Sequence, residues 1–438
     1  MSVPVPPLPG GVLLTFLVQL AVLLALAFAL GRLAVRLGMP QIVGELCAGV
    51  LLGPSLLGHL APGVSGWLFP PGQFDMLDGV GQLGMLLLVG VTGMYLDVGL
   101  IRRQGARAGV VSTVSLVIPL GLGVACGLLL PAALMPASHD RTVFAAFLGV
   151  ALCVSALPVL AKILTELGFL HRDIGQLTLI SASIDDVVGW LLLSVVTAMA
   201  TTGVRTGTVT TAVLTLAGIL LVAVFVLRPV VKVLLGGVNK TKEPGATVAV
   251  IVVLVLVCAA ATQAVHMEAL LGAFLCGIVV ASTGAVEPAR LMTLRTVVLN
   301  VLAPVFFATA GLRMDLTLLG RPAVAVSAVV VIVVAVVGKF AGAQLGAALI
   351  GLDRWHGFAL GAGLNARGVV QIVVASVGLR AGVLNPAGYT IVVLVAIITS
   401  VMTPPLLRIA LARIDTTPAE VERERWSREP AAATISGG

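Results

Sequence analysis

Two adjacent carboxylates, Asp185 and Asp186, stand inside an otherwise apolar run from about Asp173 to Ala200, long enough to cross a bilayer. An ionised carboxylate at mid-membrane costs at least ~2.5 kcal/mol on insertion scales, and ionising two side by side costs more than ionising one. Such a pair suits a site that accepts either a cation or a proton. Adjacent helix positions point about 100° apart, so the two Asp cannot do the same job: one can face a cavity while the other faces a neighbouring helix. Lys339 is the only Lys deep in an apolar run and is the natural ion-pair partner for one of them. That pairing reads either as part of a transport cycle or as a static bridge that fixes helix packing.

Two further stretches carry polar or helix-breaking residues in apolar surroundings: Cys153-Val-Ser155-Ala-Leu-Pro158 and Gly363-Leu-Asn365-Ala-Arg367-Gly368. Proline removes a helix hydrogen bond and clashes with the preceding turn. Both stretches read as helix interruptions, which lipid tolerates only where the freed backbone is buried or lines a cavity. Counted from the cytoplasmic end at ~1.5 Å per residue, the Asp pair, Lys339, Ser155–Pro158 and Asn365–Arg367 all fall roughly 15–20 Å deep. Ser155 and Ser183 fit interhelical hydrogen bonding as well as ion ligation. Arg367 reads as a fixed charge that ties down its broken helix.

These residues must be positioned by membrane helices. The chain has 438 residues, 59% hydrophobic and 10% charged, with a mean hydropathy of +1.15. That balance excludes a soluble globular domain and defines an all-α, polytopic membrane protein. Its 50 Gly suit close helix packing. The formal net charge of +7 lies mostly in loops, as orientation charge rather than a nucleic-acid surface. The five Cys sit inside apolar runs without metal-ligand or disulfide spacing, and no cofactor is expected. His266 and Glu268, in a short external loop, read as solvated.

About 13 transmembrane helices are expected, among them segments at 141–168, 173–201, 268–283, 321–351, 354–380 and 387–413. With the N-terminus outside and the C-terminus cytoplasmic, nineteen Lys and Arg fall inside and five outside. Thirteen spans divide as six, one and six. The seventh, at 208–236, is then a linker that inverts the second half relative to the first. The fourth, fifth and sixth spans correspond to the eleventh, twelfth and thirteenth, so the two broken helices occupy paired positions. After Arg413 the chain turns polar, and 414–438 is expected to be a disordered cytoplasmic tail.

Several stretches together carry a resemblance. Pro40-Gln-Ile-Val-Gly-Glu45-Leu precedes Gly53-Pro54-Ser-Leu-Leu-Gly58; Leu157-Pro158-Val-Leu-Ala-Lys162 precedes the Asp pair; Leu271-Gly-Ala-Phe274, Pro304-Val-Phe306-Phe307 and Asn365-Ala-Arg367-Gly368 follow. The sequence resembles the monovalent cation:proton antiporters of the sodium/hydrogen exchanger fold over about residues 11–413. The resemblance implies a homodimer in the cell membrane. Its membrane domain, 1–413, would comprise a dimerisation part (about 11–100 and 245–315) and a mobile core (about 104–201 and 321–413). It implies Asp186 as the alternating ligand of a metal cation (Na⁺ and/or K⁺) and of H⁺, Asp185 as the partner of Lys339, and exchange of more protons than cations per cycle. Relatives often carry a Glu near Gln371, and Lys162 replaces the usual Arg, which leaves the preferred ion open. An alternative is a sodium-coupled organic-anion carrier or a cation channel on a related fold, which would need Arg367 free. An intramembrane aspartyl protease needs two Asp on separate helices, so no enzyme activity is expected.

Overall fold

The computed structural model describes residues 9–70, 72–94, 98–131, 134–136, 140–169, 172–202, 206–238, 244–284, 288–418 and 420. Among them there is no strand. The first half holds α1 (Gly10–Arg36), α2 (Gln41–Leu52), the short α3 (Leu57–Leu60) and α4 (Pro62–Leu68), α5 (Phe74–Met94), α6 (Val98–Leu129), α7 (Arg141–Cys153), α8 (Leu157–Glu166) and α9 (Asp173–Thr202). A linking helix follows as α10 (Thr206–Val222) and α11 (Arg228–Val238), joined by a π-helical turn at Ala223–Leu227. The second half holds α12 (Pro244–Ala264), α13 (Ala269–Thr283), α14 (Pro288–Val297), α15 (Ala303–Leu312), α16 (Pro322–Leu349), α17 (Arg354–Leu364), α18 (Val369–Arg380) and α19 (Pro386–Leu411).

Local chemistry sets the boundaries. Pro322 and Pro386 open α16 and α19, where a missing N–H costs nothing. The side chain of Asp353 accepts from the N–H groups of Trp355 and His356 at the start of α17, and Asn385 accepts from Gly388 N–H at the start of α19. The linking helix presents Leu214, Phe225 and Val233 outward, as a helix bathed in lipid does.

By length and composition, ten helices or joined helices can cross a membrane, or eleven if α17 and α18 form one bent span. The expected count of thirteen is therefore not confirmed. The fifth expected segment is divided at residues 154–156, and its longer piece, α7, has 13 residues. The ninth is α13, with 15 residues, about 22 Å long against a ~30 Å core.

Packing repeats between the halves. α1 packs on α2 as α12 packs on α13, and α2 packs on α15 as α13 packs on α5. α6 packs on α7 and α9 as α16 packs on α17 and α19, and α6 and α16 pack on each other. Two of the cross-half contacts, α2 on α15 and α5 on α13, are made by glycines. A Cβ on Gly311 would meet the Leu46 carbonyl oxygen at 2.2 Å, and one on Gly277 would meet that of Gly90 at 2.1 Å. Backbones this close need residues without side chains.

The tail departs from expectation at its first residues. Thr417 and Glu420 form a reciprocal capping box: Thr417 N–H donates to Glu420 Oε2 (2.9 Å) and Glu420 N–H to Thr417 Oγ1 (3.3 Å). Glu420 Oε1 also accepts from Asp173 N–H (2.7 Å) and Oε2 meets Arg172 Nε (3.2 Å), so the tail caps the start of α9. Residues 421–438 lie outside the described residues.

Gly311→Ala drives a methyl group into the backbone of α2. The expected outcome is a loss of roughly 1–3 kcal/mol, the usual cost of overpacking, read as a lower apparent melting temperature of the purified protein. Gly63, whose added Cβ meets nothing within 4 Å, is the control position.

Candidate functional site

The two predicted interruptions are present, and they touch. α7 stops at Cys153, residues 154–156 are non-helical, and α8 begins at Leu157. Pro158 is the second residue of α8, in the first turn where proline breaks no intrahelical bond. α17 and α18 are bent by 49° across their break. Ala156 N–H donates to the Ala366 carbonyl (2.9 Å), joining the two breaks directly.

Each break leaves helix-terminal groups without partners in their own helix. At the end of α7 two buried cations supply them. Arg367, fully buried, donates through Nη1 to Ala151 O (3.0 Å) and through Nη2 to Leu152 O (2.6 Å). Lys339, also fully buried, donates to Cys153 O (2.7 Å). Cations at a helix C-terminus also meet the negative end of its dipole. Arg367 is held in turn by Gln371 Oε1 (3.2 Å) and Ala335 O (3.3 Å), while Gln371 Nε2 donates to Val392 O on α19 (2.9 Å). Ser400 Oγ donates to the Arg367 carbonyl.

Lys339 completes its three bonds with Ser115 O (3.2 Å) and Asp185 Oδ2 (2.8 Å). Asp185 accepts two more, from Ser155 Oγ (2.7 Å) and Ser112 Oγ (2.6 Å). It is fully buried and well satisfied, on a carboxylate that holds about four acceptor sites.

Asp186 differs. It is equally buried, faces the N–H of Leu157 at the start of α8, and yet neither carboxylate oxygen has a hydrogen-bond partner among the described residues. Asn365 at the second break is likewise fully buried with both side-chain polar atoms unpartnered. Buried polar groups are nearly always paired, so these unpartnered atoms beside the crossing of broken helices stand out.

The structure brings Asp185, Lys339 and Ser155 into one cluster and Arg367 with Gln371 into a second, both at the end of α7. It does not bring Ser183 there: its hydroxyl donates to Leu179 O in its own helix (2.8 Å), so it neither bridges helices nor joins the site. Sequence reasoning missed Ser112, one of two Ser in a long helix, and the carbonyls of residues 151–153, which no side-chain pattern can reveal. No cluster of three or more His, Cys, Asp or Glu suited to a resident metal occurs among the described residues.

A helical membrane protein whose two broken segments cross beside buried ionisable groups has the architecture of a secondary transporter. The chain belongs to the sodium/hydrogen exchanger family, whose model, "Sodium/hydrogen exchanger, transmembrane", matches residues 21–413. It is similar to the Na(+)/H(+) antiporter NhaS4 of Synechocystis, 31% identical over 400 residues that cover 90% of this chain and 97% of the relative. It is 30% identical to Cation/H(+) antiporter 17 of Arabidopsis thaliana over 89% of this chain but 48% of the relative, so it spans about half the length of that plant protein. In fold it resembles the sodium proton antiporter MjNhaP1 of Methanocaldococcus jannaschii, with a TM-score of 0.64 at 14% identity, over 92% of this chain and 97% of the other.

Lys339→Ala leaves Asp185 buried without its ammonium partner and Cys153 O without a donor. A destabilisation of roughly 3–5 kcal/mol is expected, measured by thermal unfolding in detergent. The double variant Lys339→Met with Asp185→Asn recovers most of it, since replacing both members of a buried pair costs far less than breaking it.

Proposed function

We propose that this protein is a monovalent cation/proton antiporter, exchanging Na⁺ and/or K⁺ for H⁺ by alternating access, with Asp186 as the group for which cation and proton compete. The observation that carries this is the contrast within the pair. Asp185 is occupied by Lys339, Ser112 and Ser155, whereas Asp186 is fully buried with both oxygens unpartnered. A negative oxygen pair in a dry interior is costly, and it discharges by taking either species. The two fluxes are thereby coupled, because the occupied site crosses far more easily than the empty one. Asn365 and the N-terminus of α8 are the neighbouring polar groups available to a bound ion.

The names of relatives agree in kind: Na(+)/H(+) antiporter for the Synechocystis protein and K(+)/H(+) antiporter 1 for a Saccharomyces cerevisiae protein 28% identical over 84% of this chain. The repeated packing supports a division of labour. α6–α9 with α16–α19 form the ion-carrying core; α1–α5 with α12–α15 form the scaffold through which two copies pair. The protein then lies in the cell membrane with its N-terminus outside and its C-terminus in the cytoplasm. The anion-carrier alternative needs a free guanidinium, and Arg367 has both terminal nitrogens committed to carbonyls and Gln371.

In proteoliposomes with an imposed pH gradient, Na⁺ or K⁺ should drive proton movement through the wild-type protein and not through Asp186→Asn. Wild-type rates in that variant would remove Asp186 from its role. Comparing both cations, with and without an imposed membrane potential, assigns the ion and shows whether net charge moves.

A further inference from the structure

At the end of the molecule where α18 finishes and α13 begins, four polar side chains form a hydrogen-bonded chain. Arg313, just after α15, pairs with Asp78 Oδ1 on α5. Gln82, one turn along α5, donates through Nε2 to Asp78 Oδ2 (2.6 Å). That bond fixes which way the Gln82 amide points, and leaves its carbonyl oxygen free to accept. It accepts from Arg380 Nη1 (2.9 Å), the last residue of α18. Arg380 Nη2 also stands 4.0 Å from Glu268 Oε2, at the start of α13. Glu268 is therefore not a solvated loop residue: 12% of its side chain is exposed.

Three of these side chains and Glu268 lie on α5, α13 and the end of α15. Arg380 reaches them from the other packing group. Two more bonds cross the same line: Tyr389 OH on α19 donates to Ala310 O (2.7 Å), and Asp315 N–H donates to Thr390 Oγ1 (3.1 Å). Behind the chain lies a small cavity of about 10 Å³, lined by Asp78, Gln82, Thr309, Arg313, Ser376 and Arg380. Met85 and Phe306 complete its lining, so polar and apolar groups mix there, and its volume is near the least that holds one water. Of the charged groups in this hydrogen-bonded chain, Arg380 is the one that comes from the α16–α19 group and bonds across to α5.

We propose that Arg380 is the latch of the outer gate, with Gln82 and Glu268 as its keepers and the Asp78–Arg313 pair positioning Gln82. The gate holds the outer end of the core against the scaffold while the ion site communicates with the other side. This rests on the division into core and scaffold set out above. The latch suits repeated opening. Arg380 is 37% exposed, and pairs at such positions hold weakly enough to break and re-form in each cycle. A buried bidentate pair would hold the gate permanently closed.

The test reads accessibility rather than transport. Ser376→Cys, inside the small cavity, is labelled from outside with a charged, membrane-impermeant thiol reagent. The same protein without the reporter supplies the background of its native cysteines. Labelling should be slow in the parent and about fivefold faster with Arg380→Gln, the size expected on losing one part-exposed charged hydrogen bond. Glu268→Gln and Gln82→Leu approach the same contact from the scaffold and should raise it too, while Arg380→Lys restores part of the protection. If Arg380→Gln elutes and melts like the parent and labels at the parent rate, the latch is refuted; if it misfolds, parental rates in both scaffold variants refute it equally. Should the wild-type protein exchange no cation for protons, the antiporter reading fails while the labelling still reports whether this end opens. Normal exchange with unchanged labelling overturns the latch alone.

Discussion

Three consecutive carbonyls at the end of α7 have lost the helix that would have bonded them, and the centre of the protein is arranged around that loss. A buried carbonyl without a donor costs about 1–3 kcal/mol, and Ala151, Leu152 and Cys153 are all buried. Arg367 takes the first two and Lys339 the third. The guanidinium suits its task because its fork reaches neighbouring acceptors at once; the ammonium suits the third position because its three protons diverge toward Cys153, Ser115 and Asp185. A buried ammonium requires a counter-charge, so Asp185 follows from the break as much as from any ion. What the break does not require is Asp186. Its unpartnered oxygens are the part of the cluster that the proposed function assigns to the ion.

The same logic fits the proposed division into a moving core and a scaffold. The site's members come from α6, α7, α9, α16, α18 and the two breaks, which pack among themselves. No bond described at the Asp pair or at Arg367 reaches α1–α5 or α12–α15. Within the second set the backbones close on one another through Gly49, Gly93, Gly277 and Gly311, where shape rather than polarity holds the contact. The bonds of Asp185, Lys339 and Arg367 thus stay on one side and the glycine seam on the other, as the proposed division into core and scaffold requires.

Much of this was legible in the sequence because ionisable residues in apolar runs are rare and costly. The Asp pair, Lys339 and the two interruptions stand out on that ground alone, and their common depth follows from counting. Their partners do not stand out. Ser112 and Ser183 look alike in sequence, yet one bonds Asp185 and the other its own helix, because rotation about a helix axis is set by packing. Arg367 was readable as a tether, but its targets are backbone atoms. The short α7 and α13 upset a count based on apolar length, since paired broken or shortened segments are tolerated where protein rather than lipid surrounds them. In the tail, the Thr417…Glu420 spacing is a capping box by pattern, but a prevailing polar composition outweighed it. Glu268 was misjudged because its partner, Arg380, lies more than a hundred residues away.

α18 joins the site to the end of the molecule that carries Arg380. It starts at the second break, directly after Arg367 and Gly368, and ends at Arg380. At twelve residues it is a rod about 18 Å long, and every residue from Val369 to Gly378 is buried. Gln371 ties it to α19 through Val392 O, and α19 carries Tyr389, whose hydroxyl also crosses to the scaffold. A displacement of the broken crossing therefore cannot stay local, because a buried helix bonded to its neighbour moves as a unit. A hydrogen bond at 2.9 Å is lost within about 1 Å of such movement. On the proposed reading, α18 has the break beside the Asp pair at one end and Arg380 at the other. A single buried helix between a site and a gate is the kind of rigid element through which occupancy at one end can govern access at the other.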